Sequence, residues 1–214
     1  MSENNQANEP VRYITSREKY VMDQFQKHFI NFAIWSRALI IALKFELPNT
    51  EDIYKRLLEE PNDVRNLMAT YLGLENPDLF KNNLSQLITD FRSLAEAILT
   101  NDTQQANESF GKLYQTTNDM SEFFYNLNPS SSLEQWHNLF HEYVEMLYYE
   151  IYTIVSGNYS GDIELFDKII NQSYLIADYM SNTLLPISHP VSTTPLVTTP
   201  PAATPPTGAT PLSH

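Results

Sequence analysis

Apolar positions recur at helical spacing along most of the chain. Phe25, Phe29, Phe32, Ser36, Leu39 and Leu43 fall three and four residues apart, which sets a single stripe on one helix. Thr15-Ser16-Arg17-Glu18 has the spacing of a capping box and opens that helix; Pro48 closes it. Asn49-Thr50 caps a shorter helix to about Glu60, and Pro61 restarts a segment that ends near Leu72, with Gly73 as a left-handed terminator. Asn76-Pro77, a cap followed by proline at the first helical position, starts a helix to about Thr100. Asp102 with Gln105 opens the next, to Leu127, and Ser132 with Gln135 opens another, to Ser156 before Gly157. A last helix is expected from near Gly161-Asp162 to just before Pro186. No segment alternates with the period of two that strands require. The expected fold class is all-α, an up-down helical bundle.

Shifting the chain by 56 residues lays Phe80 on Trp136, Leu84 on Phe140, Ile98 on Ile154 and Leu99 on Val155. It also lays Glu108 on Glu164, Phe110 on Phe166, Lys112 on Lys168 and Leu113 on Ile169. The agreement crosses the breaker, with Asn101-Asp102 over Gly157-Asn158. A duplicated helical hairpin, 78–127 and 134–184, follows as an expectation. Packed with the long first helix, two such hairpins bury one shared core.

Composition divides the chain into three zones: a polar N-terminus over 1–14, the bundle over 15–185, and a Pro/Thr-rich tail over 186–214 without a single charged side chain. Dense proline favours extended, polyproline-like conformers, so the tail reads as a disordered spacer or as a docking segment. The N-terminal residues lack the basic and apolar regions of a secretory signal, and a cytoplasmic location is expected. The longest apolar stretch, Phe29 to Leu43, contains Asn31, Ser36 and Arg37 and is shorter than the ~20 residues of a spanning helix.

Charge narrows the partners. The 214 residues carry 13 Lys+Arg against 26 Asp+Glu, a net charge of −13. Residues 113–214 hold one cation, Lys168, and ten acids. Such a balance disfavours phosphate backbones and anionic membranes, so neither nucleic acid nor membrane is an expected partner. The acidic C-terminal half suits a cation, a basic protein surface or the other half of the same molecule, and a protein partner or self-association is the expected kind of contact. The absence of cysteine excludes disulfides and thiolate chemistry.

Candidate chemistry is sparse. The five glycines form neither a phosphate-cradling loop nor a Gly-x-Ser-x-Gly elbow, which removes the commonest signs of nucleotide-dependent enzymes and serine hydrolases. No cofactor is expected; the alternative is a divalent metal ion. Its candidate ligands are His137, His141 and Glu145, spaced four apart on one helix, with Glu134-x-x-His137 as half of a di-iron bundle motif. A second Glu-x-x-His is missing, and the two histidines also fit the solvent border of the stripe Trp136, Phe140, Tyr143, Leu147. Arg37, Glu150 and Asp178 each sit among apolar neighbours and are expected to form an interior charge network, because an unpaired buried charge costs several kcal/mol.

Trp35-Ser36-Arg37, Arg56-Leu57-Leu58-Glu59-Glu60-Pro61-Asn62-Asp63, Tyr71-Leu72-Gly73, Gly157 to Ile163 with Asp167, and Ala177-Asp178 resemble a family of uncharacterised, compact, all-helical bacterial proteins. Some of its members carry the designation acetylglutamate kinase, for which this sequence has no motif. The resemblance covers roughly 25–185. It implies a histidine three positions before the Trp-x-Arg and one in the middle of each helix of a pair, where this chain has Phe32, Leu87 and Tyr143. A metal function resting on those histidines is not implied for this member. The expected role is a non-enzymatic helical bundle acting through protein contacts; the alternative is a bundle that binds metal or a small ligand through the C-terminal hairpin.

Overall fold

The computed structural model describes residues 14–188 except Glu75. Residues 1–13 and most of the Pro/Thr-rich tail, from 189 onward, lie outside the described residues. Seven α-helices run through the described residues: α1 Ser16–Lys44, α2 Thr50–Leu57, α3 Glu60–Leu67, α4 Asp78–Leu99, α5 Thr103–Leu127, α6 Leu133–Ser156 and α7 Tyr159–Ser188. A π-helical turn, Met68–Leu72, continues α3 and ends on Gly73 at φ 64°. No strand occurs among the described residues, and the fold is an all-α bundle.

The helix starts follow from local chemistry. At α1 the Thr15 hydroxyl accepts from the Glu18 amide at 3.1 Å, and the Glu18 carboxylate accepts from the Thr15 amide at 2.7 Å. Asp102 accepts from the Gln105 amide at 3.0 Å and Ser132 from the Gln135 amide at 3.1 Å. Each bond satisfies a backbone donor that the first turn leaves open. Two starts depart from expectation. Asn49 makes no side-chain cap, and α4 begins at Asp78 after an uncapped Pro77.

The last helix is longer than expected at both ends. It starts at Tyr159 because the Asn158 side chain accepts from the Gly161 amide at 3.2 Å, placing the cap three residues before Gly161. It passes Pro186 and reaches Ser188. A proline ring holds φ near the helical value, and in the final turn its missing N–H removes only one backbone bond.

The helices close a ring. α1 packs on α7, α7 on α6, α6 on α5 and α5 on α4, while α3 joins α4 back to α1. One apolar core takes residues from all seven helices. At one end Phe124, Trp136 and Phe140 stack, with Phe124 and Trp136 centroids 4.6 Å apart, and the Trp136 indole donates to Ser131 Oγ at 3.0 Å. Such aromatic pairs add about 0.5–1.5 kcal/mol each beyond their burial.

The two hairpins, α4–α5 and α6–α7, match in register. The 56-residue shift carries Thr103, where α5 begins, onto Tyr159, where α7 begins, and brings the ends of α4 within a residue of those of α6. All eight residue pairs matched in the sequence share a degree of burial: Phe80 with Trp136 and Leu113 with Ile169 are buried, and Lys112 with Lys168 are exposed.

Candidate functional site

Three clusters of polar or aromatic groups stand out against this frame. The first surrounds Arg37. Its Nε donates to Asp162 Oδ1 at 3.1 Å, and a second guanidinium nitrogen bonds Asp162 Oδ2, a bidentate pair with a carboxylate in the first turn of α7. Glu150 Oε1 lies 3.8 Å from the same Nε, beyond hydrogen-bond reach, and neither Glu150 oxygen has a hydrogen-bond partner. Glu150 is fully buried, Asp162 nearly so, while Arg37 keeps 28% of its side chain exposed beside the Phe166 ring, 4.9 Å away. Burial, together with the Asp162 charge, pushes the Glu150 carboxyl up to about 8, despite the opposing guanidinium. The Arg37 guanidinium is held above its usual range by the bond to Asp162.

The third expected member does not join this network. Asp178 accepts from Gln26 Nε2 at 2.7 Å instead. Asp162 takes its place; in the sequence it stood near a helix start and within the Gly157-to-Ile163 segment of the resemblance, without a role. Glu150 and Asp178 are 28 positions apart on separate helices of an antiparallel pair, and Asp162, just past the turn, lies much nearer Glu150 in space.

The second cluster contains His137, His141 and Glu145 on α6; two of its members are committed elsewhere, and the buried Nε2 of His137 has no hydrogen-bond partner. The two imidazoles stack at 5.4 Å, His141 Nε2 bonds Asn118 Oδ1 at 2.9 Å, and Glu145 accepts from the Tyr114 hydroxyl. Burial and the His137 charge lower the basicity of His141. The rings continue as a ladder along the α5/α6 seam. His141 faces Tyr114 at 4.7 Å, Tyr114 faces Phe110 at 5.1 Å, Phe110 faces Tyr148 at 4.5 Å, and Tyr148 meets both Tyr149 and Tyr152. Tyr149 is 57% and Tyr152 44% exposed.

The third cluster was not anticipated. His28 on α1 and Glu60 on α3 are buried, with Nδ1 and Oε2 2.8 Å apart. Asp63, one turn along α3, brings a carboxylate oxygen into the same group, with all three ligand atoms within 4.8 Å of one another. It is the one such His/carboxylate group among the described residues. The legible signal was His28 inside the apolar stripe, between Phe25 and Phe32. Glu60 read only as the end of the helix opened by Asn49-Thr50 and, with Asp63, as part of the Arg56-to-Asp63 segment of the resemblance.

Phe32, Leu87 and Tyr143, the positions where the resemblance implies histidines, converge on one apolar void of about 10 Å³. That space is too small for an ordered water with polar partners, and two of its three corners offer hydrocarbon alone. No family model, no curated protein and no solved structure matches the chain.

Proposed function

We propose that the protein is a non-enzymatic helical bundle that acts through protein contacts, and that its contact surface is the aromatic ladder between α5 and α6. The reading rests on that ladder: a continuous run of rings from His137 to Tyr152 whose Tyr149 and Tyr152 end is open to solvent. Tyrosine supplies large contact area at small entropic cost. The surrounding charge selects the partner. On exposed positions of α5 and α6, Glu108, Asp119, Glu122, Glu134, Glu142 and Glu145 stand against a single cation, Lys112. Electron-rich ring faces beside carboxylates favour an Arg- or Lys-bearing segment, each exposed cation–π contact being worth about 0.5–1 kcal/mol. No described helix is long and apolar enough to cross a membrane.

An arginine-rich peptide tests this by fluorescence anisotropy at low and physiological salt. Tyr149→Ala/Tyr152→Ala leaves the charge of the face intact, so a large loss of affinity in that variant supports recognition by the rings. Equal binding by wild type and variant reduces the interaction to general acidity and overturns the proposal.

A further inference from the structure

We propose that His28, Glu60 and Asp63 form a binding site for a divalent first-row transition metal at the junction of α1 and α3. The inference is independent of the aromatic face, which lies on other helices. It starts from placement. Glu60 and Asp63 are three apart on α3, hence on one face of the helix, and they confront His28 across the α1/α3 contact. His28 Nδ1 and Glu60 Oε2 meet in a 2.8 Å hydrogen bond, so a cation would take the place of the proton they share with a small opening of the pair, and Asp63 supplies a third donor within 4.8 Å.

The donor set selects the metal. One imidazole nitrogen with two carboxylate oxygens suits zinc, manganese or cobalt; magnesium and calcium prefer oxygen alone. Three protein ligands leave a coordination position for water or a small anion. Space for it exists, since His28 and Asp63 line a groove of about 410 Å³ whose other walls include Gln24, Lys27 and Tyr71. Metal can therefore enter from solvent although two of the ligands are buried.

Charge and support agree with a dication. Glu59, Glu60 and Asp63 carry three negative charges, against which Arg56 sets one positive charge, with Nη2 2.7 Å from Glu60 Oε1 and Nε 3.6 Å from Glu59. The Arg56–Glu60 approach is outside hydrogen-bond geometry and leaves Oε1 without such a bond. It holds the carboxylate so that Oε2 points to His28, as outer partners commonly orient metal-ligating carboxylates. Arg56 is itself braced on the Trp35 ring at 5.4 Å. Lys27, on the rim of the groove, is a flexible cation that can swing away.

The test uses the full chain, purified without chelator and with any affinity tag removed. Titration with zinc chloride or manganese chloride by calorimetry is expected to give one saturable site, with magnesium chloride giving none at the same concentrations. Cobalt chloride should produce visible d–d absorption of the same stoichiometry. Asp63→Asn changes an exposed residue and should fold normally, yet weaken binding by about tenfold or more; His28→Ala should abolish the site. The double variant His137→Ala/His141→Ala removes the competing imidazole pair on α6 and should bind as wild type does. Loss of binding in that double variant, undiminished binding in Asp63→Asn and His28→Ala, or no saturable binding at all would each overturn the assignment.

Discussion

The two hairpins share a burial pattern and differ in what they bury. The register that superposes α4–α5 on α6–α7 places Leu94 on Glu150 and Ala106 on Asp162, and all four positions are buried. The first hairpin fills them with hydrocarbon. The second fills them with two carboxylates, and α1, which packs on α7, brings Arg37 to meet them. The same scaffold positions thus hold acidic residues in the hairpin where a third helix supplies a cation. The difference also shows what the pair is worth. A buried ion pair seldom stabilises more than the hydrocarbon it replaces, although breaking one is expensive.

The comparison breaks most severely if the charge is moved to the hairpin that lacks a partner. Leu94→Glu places a carboxylate at a position that is fully buried in the apolar core, and the expected loss is above about 4 kcal/mol, in the range where only a few mechanisms operate. Chemical denaturation of a protein that still folds, or its failure to fold, reads this directly; a loss under about 1 kcal/mol would show that the α4–α5 interior admits water. Arg37→Met attacks the other side. It strands Asp162 and removes the guanidinium that lies 3.8 Å from Glu150, at an expected cost of about 3–5 kcal/mol. Adding Asp162→Asn should return part of that loss, whereas adding Asp178→Asn should return none, since Asp178 is held by Gln26.

Much of the frame was legible because it is written in local chemistry. Capping bonds at Thr15, Asp102 and Ser132 involve residues three apart, and the stripe of α1 needs only its own periodicity. Partners across the bundle were harder. Arg37 could be recognised as a problem, a charge in an apolar run, but the choice between Asp162 and Asp178 depends on where the α6–α7 turn places the first turn of α7. His28 and Glu60 are 32 positions apart, and nothing in either neighbourhood points to the other. The sequence-derived ligands His137, His141 and Glu145 share a helix face as their spacing requires, yet Asn118 and Tyr114 of α5 claim two of them. Spacing along one helix carries no information about what the neighbouring helix offers.

The comparison sharpens when the second hairpin is made to resemble the first. Glu150→Leu installs the counterpart residue, leaves Arg37 paired with Asp162, and removes a buried carboxyl without hydrogen bonds. The sign follows from its raised affinity for a proton. The folded state retains the proton up to about 8, whereas the unfolded chain releases it near the ordinary 4.5, so this group's contribution is complete below pH 4.5 and is lost as pH rises toward 8. The variant should therefore gain little at pH 4 and most at pH 8 and above, by about 1–4 kcal/mol. Melting curves from pH 4 to 9 check it. A stability difference that does not change with pH would mean that Glu150 releases its proton at the same pH in the folded and unfolded chain.

The smallest effect lies at the turns. Asn101 in the first hairpin and Gly157 in the second occupy the same register position, and both adopt left-handed backbone, at φ 57° and 76°. Each is followed by a capping residue, Asp102 or Asn158, so the same turn is built with two different residues. Asparagine pays some steric cost for that conformation and glycine pays none, although glycine loses more chain entropy on folding. These opposing terms leave Asn101→Gly within about 0.5 kcal/mol of wild type. Alanine lacks both advantages, and at Gly157 an added Cβ meets no heavy atom within 4 Å, so the whole cost of Gly157→Ala is backbone strain, about 1 kcal/mol. Equilibrium denaturation of the two variants side by side separates conformation from packing. A Gly157→Ala loss well above 2 kcal/mol would show that the α6–α7 turn is held against something more than its own geometry.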